Sequence, residues 1–220
     1  MYCTDASEHN RYLEATMART TTIDNNRLLQ AAQAEFLEHG MRATAAAIAR
    51  RAGVSPGILF HRFGTKEALF AAAMSEGDAH DAARQPIRFD FRERVGKGSV
   101  RETLTEMGEQ LLDRFFLVVP NQVMVWANRD AADGQSVADQ FREKGVRGQR
   151  VFVEYLRAEA ELKRVRLVDP FVVAHTFSGA LWFFAFEQVT GAKLRATDKS
   201  PSRSEFVRRL VDTLWTGLQP

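Results

Sequence analysis

A stretch without any acidic residue is the first feature of this sequence that could support specific chemistry. From residue 39 to residue 66 there is no Asp or Glu, although the whole protein carries 28 acidic and 30 basic residues, a net charge of +2. Such a local excess of positive charge attracts phosphate groups, because a solvated helix surface normally mixes both signs. A chance cluster is the alternative that charge alone leaves open. The cations of the stretch are Arg42, Arg50, Arg51, Arg62 and Lys66.

A short helix is predicted to begin at Ser55 within this basic stretch. Ser55 suits the N-cap, and Pro56 suits the first helical position because its missing N–H is not needed there. At about 100° per residue, Leu59 and Phe63 share the inward face and Gly57 lies opposite. A glycine on the outer face lets another surface approach the backbone closely. The outer face also carries His61, and the flanks carry Ile58 and Phe60.

A second short helix, over residues 44–52, precedes the first, and Gly53-Val54 forms the turn between them. Two short helices joined by a glycine turn are typical of a helix-turn-helix motif. The second helix of such a motif fits the DNA major groove, which is about 12 Å wide.

The elements that must hold this motif are helices along the whole chain. Apolar residues recur at helical spacing, alternating runs are short, and the sequence holds only six prolines. We therefore predict an all-α fold of about nine helices. Outside the motif the predicted helices cover residues 27–39, 65–84, 100–119, 136–164, 170–190 and 204–214, with a possible break at Gly145 or Gly148 and a new piece starting at Pro120.

The segment from Arg27 to Leu69 resembles the tetracycline-repressor (TetR) family of bacterial regulators. The family pattern runs from an Ala-Ala and Phe helix through Gly, Thr, Ile-Ala and Ala-Gly-Val-Ser to Gly, Leu-Tyr, His, Phe and Lys-Glu-x-Leu. The matching residues are Ala31-Ala32, Phe36, Gly40, Thr44, Ile48-Ala49, Ala52-Gly53-Val54-Ser55, Gly57, Leu59-Phe60, His61, Phe63 and Lys66-Glu67-Ala68-Leu69.

The resemblance implies an interface with double-stranded DNA. Thr44, Lys66 and Arg62 would contact phosphates, and the outer face of the second motif helix would meet the groove. The chain departs from the family where Ile58 and Phe60 replace residues that usually carry polar groups, and both could pack on thymine methyl groups instead. The implied DNA-contacting residues are Arg42, Thr44, Ser55, Pro56, Gly57, Ile58, Phe60, His61, Arg62, Thr65 and Lys66.

The more divergent C-terminal half is expected to bind a small, largely hydrophobic effector and to form a homodimer. Intramolecular packing is the alternative for the dimer set, and hydrogen bonding at an interface is the alternative for His175 and Glu187. The effector set is Phe115, Phe116, Met124, Trp126, Phe152, Tyr155, His175, Phe177 and Glu187. The dimer set, which would build a four-helix interface, is Ser178, Gly179, Trp182, Phe183, Phe186, Phe206, Leu210 and Leu214.

These observations divide the chain into a flexible arm (1–22), a helix-turn-helix DNA-binding domain (23–70, motif about 44–63) and a helical ligand-binding and dimerisation domain (71–220). The arm could reach a minor groove through Arg19 or Arg11, or have no role. The function expected from the resemblance is a cytoplasmic transcriptional regulator, a repressor that binds a near-palindromic operator as a dimer and is released by its effector.

Other classes of protein fit the sequence less well. An enzyme is not expected, because no nucleophile elbow, His-Glu-x-x-His, phosphate loop or Rossmann glycine pattern is present. A ligand-free architectural module remains an alternative. A single cysteine, Cys3, excludes an internal disulfide, and neither a metal nor a cofactor is expected. No apolar run approaches the roughly 20 residues that span a bilayer, so no membrane partner is expected.

Overall fold

A computed structural model describes residues 24–84, 90–128, 134–166, 169–191 and 200–220, with the backbone alone for 76–84. The predicted N-terminal arm lies outside the described residues. Helices account for nearly all of the described chain, which confirms the all-α prediction. In chain order the helices are α1 (Asn25–His39), α2 (Ala45–Ala52), α3 (Pro56–Phe63), α4 (Lys66–Arg84), α5 (Phe91–Arg94), α6 (Val100–Ala127), α7 (Gly134–Glu161), α8 (Pro170–Thr190) and α9 (Arg203–Leu218), with a 3-10 turn at Gly40–Arg42 between α1 and α2.

The first four helices pack around one apolar cluster. α1 contributes Leu28 and Phe36, both fully buried, because they fall on the same helical face two turns apart. The ring of Phe36 meets that of Phe70 on α4 edge to face, with centroids 5.2 Å apart. Leu59 of α3 packs in the same cluster. The inner face predicted for the short motif helix is therefore the buried one.

α6 is longer than the sequence rules predict. We expected a helix ending at residue 119 and a new piece starting at Pro120, but α6 continues through Pro120 to Ala127. Pro120 has no backbone N–H, so one of the hydrogen bonds between successive turns of the helix is missing there. Val119 and Val125, both fully buried on either side of Pro120, supply packing that outweighs this loss. The break considered at the glycines of α7 is also absent, since α7 is unbroken from Gly134 to Glu161.

A second apolar cluster forms where α6, α7, α8 and α9 meet. Gly108 on α6 makes this packing possible. A Cβ at that position would lie 2.7 Å from Val207 of α9 and 3.0 Å from Phe177 of α8. The three helices therefore approach one another at a point that leaves no room for a side chain.

The motif bundle is joined to the C-terminal helices by a continuous core. Val118 and Val125 of α6, with Val137 and Phe141 of α7, belong to the cluster that holds α1 to α4 together. A polar contact crosses the same junction, since Gln33 Nε2 donates to Oδ1 of the fully buried Asn121 at 3.1 Å. The position of α6 and the position of the motif are thus mechanically linked.

Candidate nucleic-acid interface

Local capping sets the geometry of the two motif helices. Thr44 is the N-cap of α2, and its hydroxyl oxygen accepts a hydrogen bond from the Ala47 N–H at 3.1 Å. Gly53 is the C-cap of α2 and takes a left-handed conformation with φ of 73° that favours glycine. The chain then reverses into α3, with Ser55 at the N-cap position and Pro56 as the first helical residue. The predicted helix-turn-helix arrangement is present.

The outward face of α3 is open to solvent. Ser55, Pro56, Gly57 and His61 are all exposed. The Ser55 hydroxyl makes no capping hydrogen bond. A Cβ placed on Gly57 would find its nearest neighbour, the Ser55 hydroxyl, 4.0 Å away. This face is narrow and has little side-chain bulk, so a flat or grooved partner could approach the helix backbone.

The residues on the two flanks of α3 differ in solvent exposure more than the sequence suggested. Phe60 is 51% exposed, in keeping with a surface position. Ile58, which we expected to face the groove, is instead half-buried and packs against the cluster of the motif bundle. The helical wheel placed Ile58 on the border between the two faces, and packing against neighbouring helices draws it inward.

Arg51 has carboxylate partners although its own stretch of sequence contains none. Its Nη1 lies 2.9 Å from Glu35 Oε1 and 3.3 Å from Glu38 Oε2, both on α1. Glu35 is 7% exposed. Arg51 therefore serves to compensate a buried charge, which reduces the positive excess available to a phosphate.

The other basic residues lie nearer to the open face. Arg42 and Arg50 are exposed. Arg62 is exposed and donates from Nη1 to Asn25 Oδ1 at 2.6 Å. Lys66 is half-buried, and its ammonium donates to the Met41 carbonyl, which ties the 3-10 turn to α4.

Three residues near the motif have roles that its local pattern did not show. The Thr65 hydroxyl accepts from the Ala68 N–H at 3.0 Å and so caps α4. Asn25 and Arg27, on the first turn of α1, were not singled out by the sequence. Asn25 contacts Arg62, and the Arg27 guanidinium would lie 3.2 Å from a Cβ on Gly53. The Thr65 cap is local, but no local signal could have revealed the contacts of Asn25 and Arg27, since each of these joins segments that are far apart in the chain.

Comparison with known proteins bears on the identity of this motif. Residues 28–73 match the model of the family described as bacterial regulatory proteins, tetR family. This segment of the chain is therefore similar to the N-terminal part of tetR-family regulators. The resemblance stated from the sequence is confirmed over this segment. The match favours a DNA-binding regulator over an enzyme. A search of curated proteins finds no match.

Solved structures similar to this chain extend over both halves. A chain from Mesorhizobium loti described as a TetR-family regulator is 19% identical with a TM-score of 0.64, covering 88% of this chain and 96% of that one. A regulator from Saccharomonospora viridis, solved in complex with choline, is 16% identical with a TM-score of 0.65 and the same coverage. A regulator from Pseudomonas aeruginosa is 21% identical with a TM-score of 0.62, covering 93% and 96%. The fold is shared along nearly the whole length.

The residues predicted to bind an effector do not all converge. Phe152, Phe177 and Tyr155 lie together inside the second cluster, with the first two rings 5.4 Å apart. Phe115 and Phe116 border the same cluster. The other four lie elsewhere or nearer to solvent: Met124 packs on the motif cluster, Trp126 is 47% exposed, His175 is exposed beside Gln149, and Glu187 is half-buried.

A surface hollow of about 560 Å³ lies between α6 and α9, away from that set. Its lining is mostly charged, which suits a hydrophobic effector poorly. The lining residues are Ser99, Arg101, Glu102, Thr105, Glu106, Glu109, Arg208 and Asp212. Within the described chain no group of His, Cys, Asp and Glu is placed to hold a metal ion, and no helix is long and apolar enough to cross a membrane.

The residues predicted for a dimer interface share one property, which is that none is fully buried. Phe183 is 44% exposed, and its ring stacks on that of Phe186. Phe186 in turn stacks on Trp182, whose indole N–H donates to Gln122 Oε1 at 2.7 Å. The remaining members of the set are exposed or half-buried: Ser178, Gly179, Phe206, Leu210 and Leu214.

Proposed function

We propose that this chain is a TetR-family repressor that inserts α3 into the major groove of a near-palindromic operator. The observation that carries the proposal is the outer face of α3. Gly57 and His61 are open to solvent there, while Arg42, Arg50 and Arg62 are exposed on the surrounding bundle. Direct contacts from α3 would read base edges, and the arginines would bind phosphates and set the register.

We assign the individual contacts by position. Ser55, Pro56, Gly57, Phe60 and His61 would face the groove. The Thr44 hydroxyl already accepts a hydrogen bond as the cap of α2, but its own O–H can donate to a phosphate. Thr65 and Lys66 would contact the DNA backbone on the other side of α3. Ile58 would contact the groove with at most the exposed edge of its side chain.

The proposed functional unit is a homodimer built from α8 and α9. Exposed aromatic side chains on α8 support it, since apolar groups of this size rarely remain in contact with water in a patch. Two copies of α3 would then lie about 34 Å apart, one turn of B-form DNA. A small, largely hydrophobic effector would bind in the C-terminal half, where Phe152, Tyr155 and Phe177 lie together in an apolar cluster. One structural neighbour was solved in complex with a small molecule, choline. Effector and DNA would then weaken each other's binding by the same factor.

A charge-matched pair of variants tests the proposal. Selection from a random DNA pool with the wild-type protein supplies the duplex. Arg42→Ala with Arg62→Ala should weaken binding, and the slope of log affinity against log salt should fall by about 1.8, or about 0.9 for each phosphate contact. The control, Arg147→Ala with Arg157→Ala, removes two exposed arginines of α7 and should change neither quantity. Equal affinities for the two double variants would reject DNA binding through this face.

A further inference from the structure

We propose that the effector site of the C-terminal half lies beneath Phe91 of α5, and that its ligand is a flat, uncharged aromatic molecule with a hydroxyl group. The inference rests on the proposed function, since it names the ligand class of the proposed effector. Its basis is a stack of rings. The Phe91 ring lies nearly parallel to that of Phe152, at an interplanar angle of 19° with centroids 5.5 Å apart, and its centroid is 5.0 Å from that of Tyr155.

Phe91 is the ring of this stack that can move at the lowest cost. Phe152 and Tyr155 of α7 are almost fully buried, and so is Phe177 of α8, which packs on Phe152. Phe91 is only half-buried, and α5 is a helix of four residues. Short elements with few buried contacts open locally at low free energy. Because the rings already touch one another, a ligand that enters the cluster must displace one of them, and Phe91 is the ring that would leave.

The chain that follows α5 is held in place, so a movement of Phe91 need not disturb the rest of the fold. The Gly96 N–H donates to Oε1 of the fully buried Glu159 at 3.1 Å. Nη1 of Arg164 lies 3.3 Å from the other oxygen of that carboxylate, and Nη2 donates to the Gly98 carbonyl. α5 would therefore turn about Gly96 while the segment beyond it stays attached to the C-terminal end of α7.

The buried charge near this site already has partners, which favours an uncharged ligand. The Glu159 carboxylate is paired with a guanidinium and accepts a backbone hydrogen bond, so it does not require a cation from outside. A charged group moved from water into a cluster of rings without a partner is strongly disfavoured. The flat shape follows from the stack itself, since a planar ring system can replace the Phe91 ring against Phe152.

A polar group lies next to the stack and would orient the ligand. Tyr155 is 1% exposed, and its phenol hydroxyl lies close to the side chains of Thr103 and Glu159. A phenol hydroxyl both donates and accepts hydrogen bonds, so a hydroxyl on the ligand can pair with it. A polar group in an otherwise apolar site fixes the orientation of what binds there. The site thus offers a hydroxylated aromatic a contact that the plain hydrocarbon lacks.

Two probes that differ only in a hydroxyl group test the ligand class. Beta-naphthol and naphthalene are each titrated against the full chain, and affinity is measured by equilibrium dialysis without DNA. Tyr155→Phe should weaken the binding of beta-naphthol about fivefold, because one hydrogen bond is lost. It should leave naphthalene binding unchanged. Equal effects on the two probes, or no saturable binding of beta-naphthol to the wild type, would overturn the proposal.

A fluorine label tests the movement of Phe91 in a protein of otherwise unchanged sequence. Para-fluorophenylalanine is placed at position 91, and its fluorine NMR resonance is followed while beta-naphthol is added. The same label at position 171 is the control, because Phe171 is a 56% exposed ring that stacks on His175 outside the second cluster. The resonance at position 91 should move towards that of the free amino acid in water, and the control should not change. A stationary resonance at position 91 in the saturated protein would show that the ring is not displaced and the proposal is wrong.

Shortening the ring gives a second readout. Phe91→Leu keeps an apolar side chain in contact with the cluster but removes the stack that a ligand must break. Affinity for beta-naphthol should therefore rise about three- to fivefold. Phe171→Leu, the matched control, should bind beta-naphthol like the wild type. The same affinity for Phe91→Leu and the wild type would place the binding site elsewhere.

The outcomes separate this inference from the proposed function. Probe binding is measured without DNA, so a failure of the α3 interface does not affect it. If beta-naphthol binds beneath Phe91 but leaves affinity for the selected duplex unchanged, the ligand site stands and release of DNA by its occupant fails. If the duplex binds through α3 but beta-naphthol does not bind, the ligand class proposed here is wrong and the DNA interface stands.

Discussion

Two adjacent arginines of α2, Arg50 and Arg51, differ in electrostatic environment although they are neighbours in the sequence. Arg51 is 41% exposed in its side chain and pairs with the nearly buried Glu35, whereas Arg50 is exposed beside the proposed interface. The contrast shows that charge counted along the sequence overstates the charge that DNA would meet.

This difference predicts that the two alanine substitutions affect different properties, stability for Arg51 and DNA binding for Arg50. Arg51→Ala should lower the free energy of unfolding by about 1–2 kcal/mol, because it leaves Glu35 with weaker compensation, and the exposure of Arg51 limits the loss. Arg50→Ala should change stability by less than about 0.5 kcal/mol and reduce the salt slope of DNA binding by about 0.9. Urea unfolding and gel shifts on both variants check this. A loss of DNA affinity for Arg51→Ala at unchanged stability would contradict it.

A buried phenol in the C-terminal half predicts a dependence of stability on alkaline pH. Tyr155 is 1% exposed, and burial raises its pKa above the ordinary value of 10.0, with the nearby charge of Glu159 acting in the same direction. Above about pH 10 the unfolded chain loses this proton while the folded chain keeps it. Stability should therefore fall as pH rises through this range.

The Tyr155→Phe variant isolates that contribution. It cannot ionise, so its free energy of unfolding should decline less than that of the wild type between about pH 9 and about pH 11. Urea unfolding at several pH values measures the difference. At neutral pH the phenol is protonated in both the folded and the unfolded chain, so its ionisation contributes no difference between the two proteins there. Parallel pH curves for the two proteins would show that another group is responsible.

At the scale of elements, the two glycines of the motif have different structural roles. Gly53 adopts φ of 73° and faces Arg27 at 3.2 Å, so a side chain there would be strained and crowded. Gly57 lies within α3 and has open space around it. Gly53 is required by the fold. We infer that Gly57 is required for close approach of DNA to α3.

Alanine substitutions should separate these two requirements. Gly53→Ala should destabilise the chain by about 1–2 kcal/mol, the cost of a left-handed conformation for a residue with a Cβ. Gly57→Ala should stabilise it by about 0.5 kcal/mol, because alanine favours a helix, yet weaken DNA binding by standing between α3 and the groove. Thermal melts and gel shifts measure both. A Gly57→Ala protein that binds DNA like the wild type would argue against close approach of α3.

Local patterns predicted the helices of the motif well, because caps, glycine stops and apolar spacing all lie within a few residues of each other. The continuation of α6 through Pro120 was not predictable by these means. It depends on burial of Val119 and Val125 against other helices, which no local rule describes. The inward position of Ile58 and the carboxylate partners of Arg51 likewise depend on contacts with other helices. The outward direction of Gly57 and His61 was predictable, since it follows from helical spacing alone.

At the scale of the whole molecule, the exposed aromatic face of α8 predicts self-association. Phe183→Glu places a charge on this face, and burying it in an interface would be costly. The variant should sediment as a monomer and bind the selected duplex more weakly than the wild type. Val146→Glu, at a 52% exposed position on α7, is the control and should remain dimeric. A dimeric Phe183→Glu protein would place the interface elsewhere.

The apolar cluster that runs from Phe36 and Leu59 into Val118 and Phe141 has a consequence for protein engineering. Heating should melt the chain in a single cooperative step, because side chains of α6 and α7 complete the core of the motif bundle. A helix-turn-helix bundle taken from a relative could therefore not be grafted onto this chain by joining the two backbones alone. Its recipient would also need new side chains on α6 and α7, because these helices complete the core of the bundle.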